Sequence, residues 1–291
     1  MASTNSTSTK QKGCKKTFAY SNDYSERMKI VRLLSSVVVL FILLAFTGAI
    51  AQNAPIVNVG VSQSLSVSTN PVAGNTAINP VPRDDKWVKR HEEFLEETKK
   101  GGIDLLFLGD SITDFWRTKG SNVWNKCYAP RRAANFGIAG DRAQHVLWRI
   151  EHGELDGLKP RVIVLMIGTN NTGKERNSDR IRNTTPEVIE GVIAIIKQLR
   201  SKLPDSKILF LAIFPRGALD DPQRAQVALI NTVLAKLDDG KTVKFLDIGS
   251  KFLEPDGRLS KDIMPDLLHP NEKGYQIWAD AMEPTLAEML K

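Results

Sequence analysis

The sequence predicts an α/β protein, a three-layer α/β/α sandwich built on a mainly five-stranded parallel sheet. Three observations predict it. Five short apolar runs alternate with segments of helical period, so each run is followed by a crossover rather than a hairpin. The first run, Leu105 to Leu108, has no polar alternation, as a central strand covered on both faces requires. Runs also end in small or amide-bearing turns, Gly109-Asp110-Ser111, Gly140-Asp141 and Gly168-Thr169-Asn170-Asn171, where a parallel sheet opens its carboxyl edge. No internal repeat competes with this reading.

Taken in order, residues 1–27 are rich in Ser, Thr, Asn and Lys and lack apolar period, which predicts a disordered polar and basic head. From Met28 the chain reads Met-Lys-Ile-Val-Arg, then an apolar run from Leu33 to Ile50, then Ala49-Ile50-Ala51 before Gln52. A basic n-region, an apolar h-region and a small-x-small site make residues 28–51 a secretory signal peptide, cleaved after Ala51. Translation starting at Met28 fits the same pattern. The competing reading is an uncleaved single-pass anchor, a membrane tether through residues 33–51; either one places the domain outside the cytoplasm. Residues 52–83 hold no sustained period and read as a flexible linker.

The domain occupies residues 84–291. Trp87, Val88, His91, Phe94 and Leu95 recur at helical spacing, closed by Lys99-Lys100-Gly101-Gly102, with His91 as a surface or packing residue. The strand ending at Gly109 follows. A second strand spans Ala133 to Ile138, then a helix from Ala143 to Glu151 that Asp141 is placed to cap, then a strand from Arg161 to Ile167. A helix from Pro186 to Leu203, a strand from Lys207 to Phe214, a helix from Pro222 to Leu237 and a strand from Thr242 to Ile248 complete the alternation. The chain closes with Pro265-Asp266-Leu267-Leu268-His269-Pro270-Asn271 and a last helix through Tyr275, Ile277, Met282 and Leu286.

Charge narrows the function. Of the net +7, Lys10, Lys12, Lys15, Lys16, Arg27, Lys29 and Arg32 against Asp23 and Glu26 put +5 into the head, leaving +2 for the remainder. Without a basic stripe interleaved with aromatics, nucleic acid is excluded as a partner. Cys14 lies in the polar head and Cys127 in the domain, so no internal disulfide is expected, and Cys127 packs or lies half-buried.

The strand ends carry the chemistry. A serine hydroxyl needs a base, a group to orient the base and donors for an oxyanion. If the strands are parallel, Ser111, Gly140 and Asn170 meet at one edge, and the loop holding Asp266 and His269 folds over it. His269 then acts as general base and Asp266 fixes its tautomer, while the Ser111 and Gly140 N–H groups and the Asn170 amide form the oxyanion hole. Taken singly, each has a plainer role: Asp110 and Ser111 cap a helix, Gly140 permits a turn, and Asp266 with His269 forms a helix entry. The Gly-x-Ser-x-Gly elbow is absent, with Thr113 at its second glycine position. Asp141 and His145 lack a third ligand, so no metal site is assigned. No dinucleotide fingerprint or phosphate loop is present, and no cofactor is implied.

Gly109-Asp110-Ser111, Gly140, Gly168-x-Asn170 and Asp266-x-x-His269, complete and in order, resemble the four blocks of the SGNH/GDSL hydrolase superfamily. Asn135 to Asp141, His145 to Arg149, Gly168 to Asn171 and Pro215-Arg216-Gly217 further resemble the catalytic subunits of intracellular platelet-activating-factor acetylhydrolase, over residues 84–290. The resemblance implies a flavodoxin-like sandwich, Ser111 as nucleophile with His269 and Asp266, an oxyanion hole from Ser111, Gly140 and Asn170, and a homodimer. The chain departs at Ala139, where relatives carry glycine, and at Arg142-Ala143, where they carry threonines, so fine substrate preference does not transfer.

The resulting expectation is an exported serine esterase, secreted or in the cell envelope, hydrolysing short acyl esters, above all acetyl. Ile112, Thr169 and Leu268 flank three of the site positions and are expected to narrow the acyl pocket. Acetylated carbohydrate is the expected substrate class, with phospholipid-type esters, lysophospholipids and thioesters as alternatives. A non-catalytic binding module on the same fold is the competing class.

Overall fold

Along the first strand alternate side chains face opposite ways, and each finds an apolar layer. In the computed structural model, which describes residues 74–291, β1 (Leu105–Gly109) sends Leu106 and Leu108 into one core and Leu105 and Phe107 into another. Two covered faces explain the uninterrupted apolar run. β2 (Ala133–Gly137), β3 (Val162–Met166), β4 (Lys207–Leu211) and β5 (Val243–Leu246) complete a parallel sheet of order β2-β1-β3-β4-β5. The order reverses between β1 and β3, the switch point where such sheets open a crevice.

One layer holds α1 (Asp85–Lys100), α4 (Ala143–Glu151), α5 (Thr185–Lys202) and α6 (Pro222–Leu234). The other holds the short α2 (Ser111–Asp114), α3 (Ser121–Cys127) and the closing α7 (Glu272–Met289). In the second layer Phe107, Tyr128, Tyr275 and Trp278 are fully buried around Trp116, each burial contributing on the order of 1.5–3 kcal/mol. Cys127 lies half-buried against this cluster. Helix starts follow their local signals: Asp84 caps α1, a Thr184–Glu187 capping box opens α5, Asp221 precedes Pro222 at α6, and Asn271 caps α7.

The structure departs from the sequence reading in particular places. The residues read as a polar head, a signal peptide or anchor, and most of a linker, up to residue 73, lie outside the described residues. Residues 74–83, read as linker, instead dock on the domain. Ala77 is fully buried in a notch between Ala143 and Gly191, and the Asn75 amide donates to Glu187 O at 3.2 Å. A period of 2 or 3.6 cannot reveal a segment that docks through isolated contacts such as the Ala77 methyl, the Asn75 amide and the Arg83 guanidinium. The fourth strand stops at Leu211 rather than Phe214, because the Asn231 amide takes both the N–H and C=O of Ile213 at 3.0 and 2.8 Å. Asp141 does not cap α4; Arg142 occupies the N-cap, its N–H donated to His145 Nδ1 at 3.0 Å, and Asp141 turns into the interior. Among the described residues no helix is long and apolar enough to cross a membrane.

Candidate active site

Three loops leave adjacent strands at one level. Gly109 pairs in register with Gly137 on one side and Met166 on the other, so Ser111, Gly140 and Asn170 each follow shortly after a matched strand end. Gly109 is required there by close packing. A Cβ at this position would sit 2.3 Å from Thr113 Oγ1 and 2.4 Å from Met166 O, so only glycine lets the chain turn directly into α2. Asp110 caps that turn, its Oδ1 accepting the Ile112 N–H at 3.0 Å. Burial pushes the Asp110 carboxyl up to about 7, against the Ile112 hydrogen bond and with the charge of Asp141 adding to the rise. The Tyr275 hydroxyl donates to Ile112 O at 2.7 Å, tying α7 beneath the serine.

The far loop closes on this edge. Ser111 Oγ lies 2.9 Å from His269 Nε2, and His269 Nδ1 lies 2.6 Å from Asp266 Oδ2. The other oxygen of Asp266 accepts the backbone N–H groups of His269 and Leu268 at 2.7 and 3.1 Å. Burial opposes ionisation of Asp266, but these bonds from His269 and Leu268 outweigh it and hold the carboxyl down at about 2. The imidazole therefore faces a fixed anion on one nitrogen and the hydroxyl on the other, the geometry for passing a proton from oxygen to nitrogen. Phe115 packs beside the His269 ring with centroids 5.0 Å apart.

Gly140 adopts φ +84°, a conformation in which a side chain is strained, and its N–H has no intramolecular acceptor among the described residues. Asn170 belongs to a short 3-10 turn, Thr169–Asn171, and one N–H of its amide donates to Asp141 O at 2.9 Å. That bond joins the turn of Gly140 to the turn of Asn170. Asn171 reinforces the union from inside, accepting the Ala143 N–H at 2.8 Å and donating to Gln144 and Asn183.

Of the residues expected to narrow an acyl pocket, only Leu268 keeps partial exposure. Ile112 is 1% exposed within the aromatic core, and Thr169 is equally buried with its hydroxyl engaged by Arg216 at 3.1 Å. Neither offers open surface to an acyl group. Sequence patterns give positions along the chain, whereas α2 and the 3-10 turn rotate these two side chains inward.

Sequence reasoning assigns no role to four arginines, although Arg149 and Arg216 lie within motifs that carry the resemblance. Arg83, from the docked segment, donates to Ala139 O at 2.8 Å and lies against Gly140, where a Cβ would meet its nitrogens at 3.1 and 3.2 Å. Arg149 is fully buried; it donates to Phe136 O at 2.9 Å and Glu154 at 2.7 Å, approaches Gly109 O at 3.5 Å, and places Nε 3.1 Å from Asp141 Oδ2. Trp87 Nε1 donates to the other Asp141 oxygen at 2.6 Å, and His91, buried rather than superficial, contacts Glu154 at 3.3 Å. Burial, only partly offset by Arg149 and Trp87, raises Asp141 to about 6. Arg182 and Arg216 donate to Asn170 O and Thr169 O at 3.1 Å. The signal for Arg149 lay in its place on the inward face of an amphipathic helix, where an arginine needs buried acids. Among the described residues no cluster of three or more His, Cys, Asp or Glu side chains is arranged to hold a metal ion.

Comparison with known proteins agrees with this architecture. Residues 107–277 match the GDSL-like Lipase/Acylhydrolase family. Human platelet-activating factor acetylhydrolase IB subunit alpha2 is 34% identical over 224 residues, 77% of this chain and 93% of that protein. The human alpha1 subunit is 31% identical over 227 residues, 78% of this chain and 94% of that protein. Among solved structures, a GDSL-like lipase from Bacteroides thetaiotaomicron superposes with TM-score 0.55 at 13% identity, covering 68% of this chain and 97% of that one. An acetyl xylan esterase superposes with TM-score 0.52 at 20% identity, covering 63% of this chain and 100% of that one.

Proposed function

The chain belongs to the GDSL-like lipase/acylhydrolase family and is a serine ester hydrolase, and from that premise we propose an exported esterase that removes acetyl groups from carbohydrate through an acyl-enzyme on Ser111. The observation that carries the reading is the chain of contacts from Ser111 Oγ through His269 to Asp266, at 2.9 and 2.6 Å. His269 Nε2 takes the hydroxyl proton as Ser111 Oγ attacks the ester carbonyl, and Asp266 stabilises the imidazolium that results. The oxyanion is received by the N–H groups of Ser111 and Gly140 and by the second N–H of the Asn170 amide, each donor worth a few kcal/mol. Collapse returns the proton to the leaving alcohol. Water, activated by the same imidazole, then releases acetate.

Phe115 and the half-exposed Leu268, both beside His269, support a short acyl group. The acetyl xylan esterase of like fold supports a sugar alcohol. The more similar relatives carry platelet-activating factor acetylhydrolase in their names, which favours an acetyl ester on a lipid as the second reading. Acetate release from acetylated xylo-oligosaccharides and from platelet-activating factor, measured side by side, separates the two. Nitrophenyl esters of increasing chain length test the acyl preference, and equal turnover of long chains would remove it. Ser111→Ala should lower kcat by at least ~10⁴ while leaving the fold intact. Unchanged turnover in that variant would instead favour a non-catalytic role for the site.

Export rests on the basic, apolar and small-residue grammar of residues 28–51. A mature protein beginning at Gln52 supports cleavage after Ala51; retention of residues 28–51 in a membrane fraction supports the anchor.

A further inference from the structure

The turn that carries Asn170 is braced by two arginines whose guanidinium groups are only half used. Arg182 spends Nη1 on Asn170 O and Arg216 spends Nη1 on Thr169 O and Oγ1, all at 3.1 Å. The Nε atoms of both are buried without a hydrogen-bond partner. Nearby carboxylates do not complete them. Glu175 is held by both terminal nitrogens of Arg142, at 2.7 and 2.8 Å, and stays 3.7 Å from Arg182 Nε. Asp221 is committed to capping α6, its Oδ1 accepting the Gln223 N–H at 2.8 Å.

Two cations held this close oppose one another. Burial lowers Arg182 and Arg216 below the ordinary arginine range; Arg142 adds to the fall at Arg182, and Arg182 adds to it at Arg216, where Asp221 works the other way. Both side chains line a pocket of about 760 Å³ beside the Asn170 turn, with Lys174, Gln223, Gln226 and the single carboxylate Asp221. The pocket is tied to the oxyanion turn through its two arginines, which donate to Asn170 O and Thr169 O.

We propose that this pocket is a subsite for an acidic group, a carboxylate or phosphate on the alcohol part of the ester, which makes the enzyme selective for acetylated acidic sugars. The inference rests on the esterase reading of Ser111. The two guanidinium groups that line the pocket can donate to an oxyanion, and a charge-assisted pair in a partly desolvated site holds it well above a neutral group of the same shape. The Gln223 amide can complete the shell, while the Gln226 amide is held by Asn183 O at 3.0 Å. Asp221 sets the limit, favouring one acidic group over several.

The test compares acetate release from a fully acetylated methyl glucuronoside, from its uronate methyl ester and from the corresponding acetylated sugar phosphate. The wild-type enzyme should prefer one or both acidic esters over the neutral one by about 10- to 100-fold in kcat/KM, the discrimination one or two charge-assisted bonds supply. The two acidic arms tell carboxylate from phosphate. In Arg182→Gln and Arg216→Gln the acidic-to-neutral ratio should fall toward one, and because it is a ratio within each variant, loosening of the Asn170 turn cancels. Should either variant fail to fold, the wild type still answers: raising NaCl from about 0.05 to 0.5 M should lower turnover of the acidic esters and spare the neutral one. Equal turnover of acidic and neutral esters by the wild type, or a preference that survives both substitutions, overturns the proposal. Absence of turnover on all three, with nitrophenyl acetate still hydrolysed, would overturn the carbohydrate reading of the esterase and this inference with it.

Discussion

Replacing Arg149 with methionine should destabilise the active-site scaffold from inside. The guanidinium is fully buried, with Nη1 2.7 Å from both oxygens of Glu154 and Nε 3.1 Å from Asp141 Oδ2; those two carboxylates are themselves fully buried. Methionine fills a similar volume but removes the cation that the two acids share. Removing one partner of a buried ion pair costs roughly 3–5 kcal/mol, since the stranded charge keeps its desolvation penalty. Asp141 retains Trp87 and Arg83, at 2.6 and 3.3 Å, so the lower part of that range applies to it; Glu154 retains only His91 at 3.3 Å. For a domain of this size the loss corresponds to a fall in Tm of about 6–20 °C. Urea denaturation followed by tryptophan fluorescence gives the stability, and steady-state acetate release below the new transition gives the rate. Because Arg149 also touches Phe136 O and Gly109 O, the strand ends that lead to Gly140 and Ser111, kcat should fall while KM holds. Arg149→Met with Glu154→Gln should recover part of the stability. Loss of less than about 1 kcal/mol in the single variant would refute the ion-pair reasoning, because a buried, uncompensated carboxylate cannot be that cheap.

Asn170→Ala should lower kcat by about 10²–10³ at little cost to stability, since the amide gives one hydrogen bond to Asp141 O; an unchanged kcat would remove Asn170 from the oxyanion hole. Arg83→Gln should lower kcat roughly tenfold with KM held, by loosening the turn at Ala139 and Gly140, and Arg83→Lys should restore part of it. A chain that begins at residue 84 should show the same defect. His145, pushed down to about 3 by burial and by Arg83, Arg142 and Arg149, is protonated in the unfolded chain before the folded one. Its contribution is present above the unfolded value of 6.5 and is lost as pH falls toward 3, by at most about 1.4 kcal/mol per pH unit. Urea midpoints between about pH 7 and pH 4 should therefore show wild type losing ground to His145→Asn as pH drops; a pH-independent gap would contradict the burial of this ring.

The sequence alone determined the five strands, their parallel sense and the loops of Ser111, Gly140, Asn170, Asp266 and His269, because apolar period and turn chemistry are properties of neighbours in the chain. Strand limits moved where a distant side chain intervened, as Asn231 does at Ile213. Only the tertiary structure decided that residues 74–83 dock on the domain, that Ile112 and Thr169 turn inward, and that Asp141 abandons a cap for Arg149. It alone set Arg83, Arg182 and Arg216 around the two turns beside the serine. Arg83, Arg182 and Arg216, outside any amphipathic helix, read as surface charge in a local window. Whether one is solvated, paired or left half-satisfied in a pocket depends on groups that folding brings from tens of residues away, and on how much water it removes between them.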